Sequence, residues 1–87
     1  STLHLGGNDI GDDGAAALAT SPLLGHLFTL NLENTQIGDQ GALALASSHR
    51  VSSLGMLHLG RNRIGPDGSL ALARSPYLRP TIRSLWG

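Results

Sequence analysis

Eighty-seven residues allow at most one domain, and a fold of that size buries only about 60–65% of the surface its unfolded chain exposes. The apolar share of 40% is nearly all Leu and Ala, with single Phe, Tyr, Trp and Met residues, so the core must be thin and repetitive. The formal charge is zero and there is no cysteine, which excludes a disulfide framework, a thiolate metal site and a cysteine nucleophile.

No apolar run approaches the roughly 20 residues that cross a bilayer, so no membrane association is expected. No signal peptide opens the chain, and Ser1 already sits inside the repeating pattern described below. The stretch is therefore expected to be part of a longer array. Charge is balanced but segregated. Residues 1–49 hold Asp9, Asp12, Asp13, Glu33 and Asp39 with no Arg or Lys, whereas residues 50–87 hold all six Arg and one acid, Asp67.

Sliding the sequence by 27 residues superimposes it on itself. Nine columns are identical in three copies, beginning with Leu3, Leu30, Leu57 and ending with Ser21, Ser48, Ser75. The copies are residues 3–29, 30–56 and 57–83, with 84–87 opening a partial fourth.

In chain order, Leu3-His4-Leu5 alternates apolar and exposed, as a short strand with one buried face does. Ile10 follows, and then Gly11 as a helix N-cap. Asp12 and Asp13 in the first turn suit the positive end of the helix dipole. Ala15–Ala19 forms the helix, with Gly14 and Ala17 permitting close approach to the sheet and Leu18 plugging the core; Pro22 closes it.

The second copy repeats the plan with Leu30-Asn31-Leu32, Ile37, Gly38, Asp39 and the helix Ala42–Ala46. The third gives Leu57-His58-Leu59, Ile64, Gly65 and Pro66 at the first helical position, where its missing N–H costs nothing. Ser69–Ala73 then forms the helix and Pro76 ends it. One unit alone cannot bury its apolar side. Stacked units share a continuous core, with parallel strands about 4.8 Å apart.

Leu54-x-x-Leu57-x-Leu59-x-x-Asn62-x-Ile64 resembles the leucine-rich-repeat signature, and Leu27 to Ile37 repeats it with Thr35 in place of Asn. The continuation Gly-x-x-Gly-Ala-x-Ala-Leu-Ala resembles the ribonuclease-inhibitor-like class in its Ala-rich bacterial form. Gly41-Ala42-Leu43-Ala44 spells the motif of the GALA-type effectors of plant-pathogenic bacteria. The resemblance implies an α/β solenoid: a right-handed horseshoe arc with a short parallel sheet on its concave face and helices on its convex face. It also implies an Asn ladder after each strand, met by Asn8 and Asn62 and broken at Thr35. Those effectors carry an F-box segment; nothing here matches one, so ubiquitin-ligase recruitment is not carried over. The compartment stays open between bacterial cytoplasm and an exported effector.

The expected function is a scaffold that binds a protein partner through the concave sheet face. The expected contact residues are Thr2, Thr29 and Met56; His4, Asn31 and His58; Glu33, Asn34 and Arg61; and Trp86 if a fourth strand forms. The alternative is self-association, with the acidic end of one chain stacking on the basic end of another. His4 and His58 do not make a metal site, because about 9.6 Å and Asn31 separate their strands. The Arg-rich third copy lacks the base-stacking aromatics of a nucleic-acid binder. No phosphate loop, nucleophile elbow or His-Glu-x-x-His sequence is present, so no enzymatic activity and no cofactor are expected.

Overall fold

A computed structural model describes residues 1–79. Its three strands are β1 (Thr2–His4), β2 (Thr29–Asn31) and β3 (Met56–His58), and its three helices are α1 (Gly11–Thr20), α2 (Asp39–Ala46) and α3 (Pro66–Ala73). They alternate along the chain, with 3₁₀ turns at Pro22–His26 and His49–Ser53. The strands form one parallel sheet in the order β1-β2-β3. Leu3 pairs with Leu30, and Leu30 with Leu57, so the register equals the sequence period.

This is an α/β repeat fold built as the 27-residue rhythm requires. Leu30, Leu32, Ile37 and Leu45 of the second unit are all 0% exposed, as are Leu54 and Leu72. The strands start one residue earlier than the alternation suggested, and Leu5, Leu32 and Leu59 continue inward just past them.

Three local expectations need correction. First, Pro22 does not simply stop α1. It sits at the start of a 3₁₀ turn whose N-cap, Ser21, accepts from the Leu23 N–H. A proline's fixed φ suits that first position as well as it suits an α-helix start. Second, Ala17 is exposed, although its column mates Ala44 and Ala71 pack against the core and Gly41 and Gly68 are buried; Ala15 and Ala42 add buried positions the expectation did not include. Third, Gly11 is the first residue of α1 and Ile10 its N-cap, whereas Gly38 and Gly65 are N-caps as expected.

Neither Gly38 nor Gly65 has a side chain to cap its helix, and the preceding unit supplies the acceptor. Asp12 Oδ1 accepts from the Gly38 and Gly41 amides at 2.6 and 3.0 Å, and Asp39 Oδ1 accepts from Gly65 and Gly68 at 2.7 and 2.9 Å. A carboxylate read as serving its own helix dipole therefore also caps the next helix, where four amides would otherwise lack partners. This explains the second glycine of each Gly-x-x-Gly. A Cβ on Gly41 would lie 2.8 Å from Asp12 Oδ1, and one on Gly68 2.7 Å from Asp39 Oδ1.

The turn after each strand holds a second set of inter-unit bonds. Asn62 Oδ1 accepts from the Thr35 and Ile37 amides, while its Nδ2 donates to Leu32 O at 2.8 Å and Leu59 O at 3.0 Å. Thr35 performs half of this. Its buried hydroxyl donates to Leu32 O at 2.7 Å but is too short to reach the first unit. A third set comes from serines: Ser75 Oγ donates to Ala46 O at 2.6 Å, and Ser48 Oγ to Ala19 O.

Candidate functional site

The β1-β2-β3 register forces alternate side chains into rows across the sheet face opposite the leucines. Thr2, Thr29 and Met56 form one row; His4, Asn31 and His58 form the next. Met56 is 46% exposed, a large apolar side chain left in water on a polar face. Asn31 is half-buried, and its Oδ1 accepts from the Glu33 amide at 3.0 Å just past β2.

Glu33 follows with its side chain 49% exposed, and its Oε1 lies 4.0 Å from His58 Nδ1. At that distance and exposure, pairing with a protonated imidazole is weak, and both groups stay free for a partner. Glycine occupies the same column on either side, Gly6 and Gly60, leaving Glu33 as the only side chain of its row.

Asn34 and Arg61 are exposed and share a column with Gly7. All three have left-handed backbones, with φ of 52°, 59° and 80°. Asn tolerates that region and Gly prefers it, but an arginine there is uncommon. Trp86 lies outside the described residues.

The sequence reading passed over the column Asp9, Gln36 and Arg63, which is not identical between copies. These side chains line an open groove of about 580 Å³ with Gly7, Asn8 and Asn34, where the chain leaves the strands. Gln36, with φ of 65°, is a third non-glycine residue in the left-handed region. The available signal was the opposition of an acid and a base at the two ends of one column.

Among the described residues no group of three or more His, Cys, Asp or Glu side chains is placed to hold a metal ion. Among them, too, no helix is long and apolar enough to cross a membrane.

Parallel strands joined through helices, repeating every 27 residues around one leucine core, define a repeat protein with an uncovered sheet face. A family model described as Leucine Rich repeat matches residues 1–19, 26–46 and 52–73, one segment for each unit. The chain belongs to the leucine-rich-repeat family. Repeats of this family commonly mediate protein–protein interaction, and the family is generally a non-enzymatic binding scaffold. No curated protein and no solved structure matches the chain.

Proposed function

We propose that the chain is a binding segment of a right-handed α/β solenoid, of the ribonuclease-inhibitor-like class in a bacterial form, and that it holds a protein partner on the concave face of its sheet. The observation that supports this best is the set of in-register rows on that face. Thr2, His4, Thr29, Asn31, Met56 and His58 stand in two rows over a buried leucine layer, with Glu33, Asn34 and Arg61 just beyond the strand ends. A rigid sheet holds such groups at fixed spacing, so little ordering entropy is lost when a partner binds. Met56 gives the surface an apolar contact, and Glu33 and Arg61 give it opposite charges for orientation.

The test is charge reversal on two sides of the molecule. Glu33→Lys and Arg61→Glu should each weaken capture of a purified partner about tenfold or more. Gln40→Lys and Arg74→Glu, on the helical side, should leave it unchanged. Equal losses on both sides would end the proposal.

A further inference from the structure

The groove beyond the strand ends has a charge arrangement that neither the fold nor the sheet-face reading uses. Asp9 and Arg63 form its two charged walls, with Asn34 and Gln36 between them. The two are column mates separated by one unit, so their backbones lie about 9.6 Å apart at the usual strand spacing. Neither belongs to an ion pair, since the pair His58–Glu33 is the only one among the described residues. Both are exposed.

The floor is polar and open. A Cβ added at Gly7 would meet nothing within 4 Å. Asn8 donates to Leu5 O at 2.9 Å, and its carbonyl oxygen accepts no hydrogen bond among the described residues. The corresponding oxygen of Asn62 accepts two amides. Gln36, with φ of 65°, keeps its side chain at a left-handed position that glycine would hold without strain.

We propose that this groove receives an extended segment of the protein partner carrying a cationic and an anionic side chain two residues apart, the cation against Asp9 and the anion against Arg63. In an extended chain, side chains at i and i+2 point the same way and stand about 6.6–6.8 Å apart. A Lys or Arg and an Asp or Glu so placed span the gap between the two walls. The side-chain amides of Asn34 and Gln36, with the free oxygen of Asn8, are the groups this groove offers to the peptide units between them. The inference rests on the sheet-face reading, because the groove adjoins that surface and extends it past Glu33 and Arg61.

The test is an NMR titration of the whole chain with the synthetic peptide Gly-Ser-Lys-Gly-Asp-Ser-Gly, and with versions in which Ser replaces its Lys or its Asp. The full peptide should move the amide signals of Asn34 and Gln36. Loss of either peptide charge should weaken binding about three- to fivefold, the reach of an exposed ion pair. Asp9→Asn and Arg63→Gln should do the same. The losses should be paired: Asp9→Asn should erase the effect of removing the peptide's Lys, and Arg63→Gln that of removing its Asp. No shift at millimolar peptide, singly charged peptides that bind as tightly as the full peptide, or unpaired losses would each overturn the proposal. Signals moving only at His4, Asn31 and His58 would retain the sheet face and reject the groove. Groove binding with paired losses, but with a partner insensitive to Glu33→Lys, would retain the groove and reject the sheet face.

Discussion

Leu3, Leu5, Ile10 and Leu18 of the first unit are the column mates of Leu30, Leu32, Ile37 and Leu45 in the second. The second set is 0% exposed, whereas every member of the first is only partly buried. The residues are identical; the difference lies in what covers them. Among the described residues the second unit has a neighbour on each side, and the first has one. A cavity of about 500 Å³, lined by Leu5, Ile10, Gly14, Ala17 and Leu18 among others, marks the uncovered side. The helix starts differ for the same reason. Gly38 has an extended backbone and donates to Asp12, while Gly11 has φ of 69° and donates to Thr35 O. A repeat unit here is not a self-contained piece. Its burial and its helix cap come from its neighbours, as expected of quasi-one-dimensional proteins.

The contrast is broken most sharply in the leucine column. Leu30→Ala should cost about 2–5 kcal/mol, enough to unfold much of the chain, and Leu3→Ala no more than half as much, both read by urea denaturation. Equal costs would mean that the open side is covered in solution. Next, Gly41→Ala drives a Cβ to 2.8 Å from both Asp12 Oδ1 and Ile37 Cγ2 and should cost about 1–3 kcal/mol. Asp12→Ala leaves the Gly38 and Gly41 amides without their acceptor and should cost about 1–3 kcal/mol, with faster hydrogen exchange at those two amides. Asp13→Ala, an exposed neighbour, should stay within about 0.5 kcal/mol. Thr35→Asn restores a donor that reaches toward Leu5 O and should add about 1 kcal/mol, tightening the first unit onto the second.

The smallest expected effect concerns the two ends. Stacking of the acidic end on the basic end requires two open apolar surfaces. Among the described residues Leu3 and Leu5 on the β1 side are partly buried, whereas Leu57 and Leu59 of the third unit are 2% and 6% exposed. Light scattering is expected to give the same particle mass at low and high salt. A mass that falls with salt would show that opposite charges bring chains together.

The period, the strand columns and the buried leucines were legible because a fixed shift of 27 residues places identical side chains in identical surroundings. What the sequence concealed were the links between units. A carboxylate at the start of a helix reads as a partner for its own dipole, and nothing in Asp12 or Asp39 tells that the side chain also reaches 26 residues forward to a glycine amide. Ser48 and Ser75 stand in an invariant column, and identity alone does not reveal that each hydroxyl bonds back to the previous helix. Thr35 read as a broken rung, yet it keeps the bond within its own unit and loses the one to its neighbour. For the sheet face, the rows of Thr2, His4, Asn31, Met56 and His58 followed from alternation alone. The Asp9–Gln36–Arg63 column did not, because its three members differ in charge and share no identity across the repeats.

The Asp12 and Asp39 contacts run one way along the stack, each carboxylate finishing the helix that comes after it. At the equivalent place in the third unit stands Pro66, which carries no acceptor to hand on. The relay thus has a direction and a stop. A duplicated copy of the second unit spliced in ahead of the third would bring both plug and socket and extend the series seamlessly, whereas one joined behind Pro66 would find its opening glycines with nothing to receive their amides.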